Sequence, residues 1–207
     1  MIIDKGREII LSNYRSIIFD FDGVIVDSNK IKSVAIENAM KELLPSHLTS
    51  NFVNYFTGNN GVPRKIKIEK YFSKMEAVIV LDRYEKELSR TLINASLIPG
   101  AKEFISNLKS SYINTNLFIL SGGELSEILE ILDKHKMKEL FERVCAAPYR
   151  KLENLQRMEL KFPALFFGDS KVDYLAAKEA GLDFVFVYGA TDWEDWRSIV
   201  KSPPAVA

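Results

Sequence analysis

Residues 16–28 read SIIFDFDGVIVDS. A short run of β-branched and aromatic residues, the mark of a buried strand, leads into Asp20, Phe21 and Asp22, and Gly23 follows. Side chains alternate along a strand, so Asp20 and Asp22 lean the same way if the extended geometry persists. Gly23 permits a tight turn or a close backbone approach. By itself an Asp-x-Asp-Gly also reads as a turn after a strand. It is not an EF-hand calcium loop, which needs Gly at its sixth position and Glu at its twelfth; counted from Asp20, these are Ile25 and Ile31.

On the C-terminal side the rhythm changes twice. From Asn29 to about Leu97 the chain is almost wholly of helical pattern: NKIKSVAIENAMKELL, SHLTSNFVNYF, VPRKIKIEKYFSKM and VLDRYEKELSRTLINASL, with one polar loop, TGNNGVP. After Pro99-Gly100, helices alternate with strands: AKEFISNLKS then TNLFIL, ELSEILEILDKH then RVCAA, ENLQRMEL then ALFFGD, and DYLAAKEAG then DFVFV. Such alternation implies a parallel sheet joined by helical crossovers. The expected fold is therefore α/β: a Rossmann-like, doubly wound parallel sheet over residues 1–28 and 98–207, interrupted by a helical domain at 29–97. The tail, TDWEDWRSIVKSPPAVA, reads as a short capped helix and a frayed end.

In open α/β sheets, ligands bind beyond the carboxyl ends of the strands. Every polar cluster of this chain falls there: Asp20 and Asp22 after the first strand, Ser121 after the second, Lys151 after the third, Asp169 after the fourth. Three carboxylates on one rim repel strongly; two unit charges about 4 Å apart cost roughly 4 kcal/mol at an effective dielectric of about 20. A divalent cation is the natural remedy, and an oxygen-only donor set suits Mg²⁺ better than zinc. Asp173 has two readings, because Ser170 to Asp173 also has capping-box spacing. Ser121 has two as well. SGGE is another capping box, yet a glycine-rich helix N-terminus presents N–H groups to an anion, so the Ser121 hydroxyl and Gly122 amide are candidate phosphate ligands. Arg150 competes with Lys151 as the basic group of this rim.

Global composition adds limits. The chain has 207 residues, 47% of them hydrophobic, enough for one α/β core with a smaller insert. Its 28 basic and 28 acidic residues cancel, so no overall field draws it to nucleic acid or an anionic membrane. The single cysteine, Cys145, sits in an apolar stretch and reads as a buried thiol. The opening MIIDKGREII is a poor signal peptide, and no apolar run approaches the ~18 residues of a membrane span. A cytoplasmic monomer or weak homodimer is expected, without nucleic-acid or membrane partners.

DFDGVIVDS, the Ser121 of FILSGG, the Lys151 of APYRK and the GDSKVD of 168–173 resemble the four ordered motifs of the haloacid dehalogenase superfamily, over residues 16 to 188. The helical insert, closed by IPG, resembles the cap of its phosphoglycolate phosphatase and β-phosphoglucomutase branch. The resemblance implies Asp20 as nucleophile and Asp22 as general acid and base. It implies Mg²⁺ held by the Asp20 carboxylate, the Asp22 backbone carbonyl and Asp169, with Asp173 a ligand or close partner, and Ser121 and Lys151 on the transferring phosphoryl group. Because dehalogenases of the superfamily lack the second aspartate, Asp22 implies phosphoryl transfer. The expected activity is hydrolysis of a small phosphate monoester: a sugar phosphate, a sugar-acid phosphate or phosphoglycolate. A phosphomutase and a non-catalytic phosphate-binding protein are the alternatives. In the insert, Asn59, Asn60, Arg64 and Lys65 are candidate substrate contacts, although NNG also reads as a turn and RKIKIEK as a wetted helix face.

Overall fold

Ser16–Phe19 forms a strand in which every residue is buried, because it lies at the centre of a sheet. The computed structural model describes residues 2–3, 9–41, 43–189 and 191. Six strands are labelled in chain order: β1 (Ile2–Ile3), β2 (Ser16–Phe19), β3 (Asn116–Leu120), β4 (Arg143–Cys145), β5 (Ala164–Gly168) and β6 (Asp183–Phe186). Their order across the sheet is β1-β6-β5-β2-β3-β4. The five expected strands are all present and all parallel. The two-residue β1, which has no strand-length pattern in the sequence, adds an antiparallel edge to β6.

The period-two alternation of the strands divides the core between the two faces. Ile17, Phe19, Ile119, Leu165 and Phe167 join one apolar cluster with Ile105 and Leu108 of α5 (Ala101–Ser111) and Ile128 and Ile131 of α6 (Leu125–Lys134). Ile18, Phe118, Phe166 and Phe184 join the other with Leu155 of α7 (Lys151–Arg157) and Ala177 of α8 (Lys171–Glu179). Helices on both faces make the sheet doubly wound, as the alternating pattern implied. The Phe19 and Phe167 rings stack 5.0 Å apart across β2 and β5, and Phe104 closes over both edge-on.

Between β2 and α5 lie four helices: α1 (Asn29–Met40), α2 (Ser46–Thr57), α3 (Arg64–Tyr71) and α4 (Lys74–Ser89). The continuous helical pattern expected across VPRKIKIEKYFSKM is broken, because Phe72 is extended and Ser73 starts a new helix, its N–H donating to Glu76 Oε2 at 3.0 Å. The long pattern after Val80 also stops early. Helix α4 ends at Ser89 and a single 3-10 turn, Leu92–Asn94, completes the segment. Helix α1 packs on α2 and α4, and α3 on α4. The two chain segments joining this bundle to the sheet run side by side. Asp27 N–H donates to Ser96 O at 2.9 Å, and Ile98 N–H to Ile25 O at 2.9 Å. The expected tail helix falls at positions 192–207, outside the described residues.

Truncating Phe167 to alanine should cost about 3–5 kcal/mol of unfolding free energy, the usual range for a buried phenylalanine. Chemical denaturation would read this; a loss below about 1 kcal/mol would mean that the aromatic stack does not hold β2 to β5.

Candidate active site

Register decides what meets at the carboxyl end of the sheet. Phe19 of β2 pairs with Ile119 of β3 and Phe167 of β5, so Asp20, Ser121 and Asp169 all emerge on one rim. The backbone ladder holds two of these positions, Asp20 N–H donating to Phe167 O at 2.8 Å and Ser121 N–H to Cys145 O at 2.9 Å. Gly23 completes the rim. It has φ +76°, and a Cβ there would lie 2.0 Å from Asp169 Oδ2, so glycine alone lets the loop after β2 pass over that carboxylate.

Asp20, Asp169 and Asp173 are all buried, and each offers a carboxylate oxygen within 4.8 Å of the others. Lys151, at the start of α7 and 1% exposed, inserts between two of them. Its Nζ lies 2.8 Å from Asp20 Oδ1 and also bonds Asp173 Oδ1. Burial would pull the Lys151 ammonium down, but Asp173 and Asp20 outweigh it and hold the amine above its ordinary range. Asp20 is pushed up to about 8, first by burial and then by Asp173, against the opposing pull of Lys151. Asp169 is pushed well above the carboxylate range by burial and by Asp20 and Asp173. Arg150, the competitor for the basic role, is exposed.

Asp22 has different surroundings. Its Oδ1 accepts from Ser28 Oγ and pairs with Lys32 Nζ, both at 2.5 Å. Burial raises its pKa, but the charge and hydrogen bond of Lys32, with help from Ser28, carry it below the usual range. Asn29 Nδ2 donates to Asp169 Oδ2 at 3.0 Å. Ser28, Asn29 and Lys32 are not in the sequence-derived set. The signal was present: they are the residues leading into the first helix after DFDGVIVD, at spacings that put them on one turn facing back to the motif.

Asp173 caps its helix as its spacing from Ser170 allowed, its Oδ2 accepting from Ser170 N–H at 3.0 Å, while Oδ1 faces Lys151. Ser121 is not an N-cap. Helix α6 starts four residues later, at Leu125, with Glu124 as its N-cap, because Gly122-Gly123 continue as loop. The Ser121 hydroxyl is fully buried and accepts from Gly123 N–H at 2.9 Å. Gly122 lies beneath the insert's loop, and a Cβ there would meet Gly61 O at 2.4 Å. Asn59 turns away, donating to Tyr55 O at 2.7 Å at the end of α2, and its neighbour Asn60 lines the cleft instead. Arg64 lines the cleft too, but its guanidinium is engaged by both carboxylate oxygens of Glu127 on α6, one at 2.8 Å. Lys65 is exposed.

The donor set suits a hard divalent cation. All candidate ligands are oxygens, and one lysine leaves three buried carboxylates under-neutralised. Asp20 and Asp169 are the better placed, since both oxygens of Asp173 already serve Lys151 and the α8 cap. Among the described residues no helix is long and apolar enough to cross a membrane.

Residues 17–187 match the family described as haloacid dehalogenase-like hydrolase. A phosphoglycolate phosphatase of Synechococcus elongatus is 29% identical over 197 residues, spanning 92% of this chain and 90% of that protein. One from Colwellia psychrerythraea is 27% identical over 207 residues, spanning 86% and 87%. Among solved structures, a predicted phosphatase from Clostridium acetobutylicum superposes with a TM-score of 0.72 at 18% identity, covering 89% of this chain and 90% of that one. At such identity the likeness speaks for the fold.

Elevated carboxyl groups release protons when a cation binds, which makes the cation effect depend on pH. Between the unfolded carboxylate range and about 8, the metal-free native state holds more protons than the unfolded chain. Its stability should therefore decline as pH rises through that window. Added Mg²⁺ should raise the melting temperature more at pH 8 than at pH 5.5, relative to the protein in EDTA. In Asp20→Asn the metal-free protein should melt higher than wild type and the Mg²⁺ increment should shrink; a pH-independent increment retained in that variant would exclude this cluster as the cation site.

Proposed function

This chain belongs to the haloacid dehalogenase-like hydrolase family, and from that premise we propose that it is a Mg²⁺-dependent phosphatase acting on a small phosphate monoester. The carrying observation is the 2.8 Å contact between Lys151 Nζ and Asp20 inside a cluster of buried carboxylates. A carboxylate can attack a phosphate ester only where positive charge offsets the repulsion between the two anions. The names of the two curated relatives support the same class.

Asp20 is the nucleophile. An Asp20 oxygen bonds to phosphorus as the bond from phosphorus to the ester oxygen breaks, and Asp22 delivers a proton to the departing alcohol. Water then attacks the aspartyl-phosphate; Asp22 takes its proton, the bond from Asp20 to phosphorus breaks, and phosphate leaves. Lys151 balances charge on the transferring oxygens, with Asp173 holding it in place. The Ser121 hydroxyl and Gly122 amide bind the phosphoryl group once the insert's loop lifts from Gly122. Mg²⁺, when bound, adds positive charge at the phosphoryl oxygens; Asp20, Asp169 and the Asp22 carbonyl would hold it. Paired with Lys32, Asp22 is an anion in the free protein, so it takes up a proton from solvent or from the substrate monoanion before the first step, gives it to the departing alcohol, and is then again the anion that serves as base in the water step.

The helical segment 29–97 acts as a cap domain on a core formed by 1–28 and 98–207. A lid against the rim excludes water and admits small metabolites in preference to phosphoproteins.

Purified protein with Mg²⁺ should release phosphate from small esters, and Asp20→Asn should reduce that by on the order of 10³-fold or more. Undiminished turnover in this variant would remove the mechanism. With a hexose 1-phosphate the product should be free phosphate; an isomerised sugar phosphate would show a mutase. Gly122→Ala, which sets a methyl group against Gly61 O, should lower kcat/KM about 10²-fold by misplacing the lid, while leaving the circular dichroism spectrum unchanged.

A further inference from the structure

Three cationic side chains of the helical insert, Lys32, Arg64 and Lys67, line the same cleft as Asp20, Asp169 and Asn60. Two of them have carboxylate partners: Lys32 is paired with Asp22 and Arg64 with Glu127. Lys67 is different. It is 4% exposed, and among the described residues no carboxylate lies within ion-pair distance of it. Its Nζ donates to Phe56 O at 3.0 Å and sits 3.5 Å from the centre of the Phe56 ring. An ammonium carries three N–H donors, so a carbonyl and a ring face leave it incompletely satisfied. A buried cation without an anion is costly, and burying it beside a second cation costs more. Burial and then Lys32 draw the amine well below its ordinary range, against an opposing pull from Asp22.

We propose that Lys67 is the receptor for a second anionic group on the substrate, so that the cleft selects short phosphate esters bearing a carboxylate or a second phosphate. The assignment rests on the phosphatase reading. The make-up of the cleft supports it: the same cavity is lined by the carboxylates that meet the phosphoryl group with its cation and by an ammonium with no carboxylate at ion-pair distance among the described residues. An acidic ester supplies the missing anion and fills the open donors of Lys67. An uncharged alcohol portion leaves the ammonium as it is in the free protein, so the gain is specific to the acidic ester.

The experiment compares wild type with Lys67→Met, which keeps the apolar stem against Phe56 and removes the charge. The substrates are 2-phosphoglycolate, ethylene glycol bisphosphate and ethyl phosphate, all with Mg²⁺. The readout is the ratio of kcat/KM for each acidic ester to that for ethyl phosphate. Wild type should favour at least one acidic ester, and which one identifies the second group. Lys67→Met should lower that ratio at least 30-fold, chiefly through KM. If Lys67 only anchors α3 to the end of α2, both terms change together and the ratio stays within about threefold, which overturns the proposal. Binding to Asp20→Asn protein is measured in parallel by the thermal shift from the same three compounds, with and without Lys67→Met. A wild type that hydrolyses none of the esters defeats the phosphatase reading, yet a shift from the acidic compounds that disappears with Lys67→Met still upholds the subsite. Equal shifts with and without Lys67 overturn it.

Discussion

The energetic centre of this structure is a concentration of negative charge that protein alone does not neutralise. Asp20, Asp169 and Asp173 are buried at the carboxyl end of the sheet, and among the described residues Lys151 is the cation inserted among them. In water the three would separate or hydrate. At the rim they are held together by strand register, by the α8 cap and by a glycine that lets the loop after β2 close over Asp169. Burial first, and then the neighbouring carboxylates, push Asp20 and Asp169 above the carboxylate range. Such a site is poised for positive charge, and the chemistry proposed for it brings that charge together with a phosphoryl group.

The helical insert answers the rim with charge of the opposite sign. Lys32 holds Asp22 as an anion, so two aspartates two residues apart are set in opposite protonation tendencies by what packs on them. Arg64 reaches from α3 to Glu127 on α6, an ion pair between insert and sheet-bound helix that is buried on the arginine side and half-buried on the glutamate side. Gly61 against Gly122 brings the two backbones into contact at the same seam. One apolar cluster also runs without interruption from Phe19 and Ile119 of the sheet to Phe52, Phe56 and Tyr84 of the insert. The insert is therefore held to the sheet-bound elements by both apolar and ionic contacts, and Arg64 of the ionic pair lines the cleft.

Much of this was legible in the chain, because it depends on local rules. Strand and helix periods are set by neighbours a few residues away, which is why IIF, NLFIL and ALFFG read as strands and why all five parallel strands were foreseen. Ser170 and Asp173 cap a helix by a spacing visible in four letters. The break at Phe72-Ser73 was less visible, since apolar spacing carries through it and only the Ser73–Glu76 box marks a restart. The short β1 has no pattern of its own and exists as a strand through its pairing with β6.

The sequence by itself determined the parallel α/β sheet, the helical interruption and the set of acidic residues at strand ends, since each follows from periodicity and from the rule that these sheets bind ligands at one edge. Only the tertiary structure decided which polar side chains face the cleft. Asn59 and Asn60 are adjacent letters of the same type, yet one caps α2 and the other lines the pocket. Arg64 and Lys67 lie on one short helix, yet among the described residues one has a carboxylate partner and the other does not. A side chain's partner is fixed by what the rest of the fold brings within about 3 Å of it, and that distance is set by contacts between residues far apart in the chain.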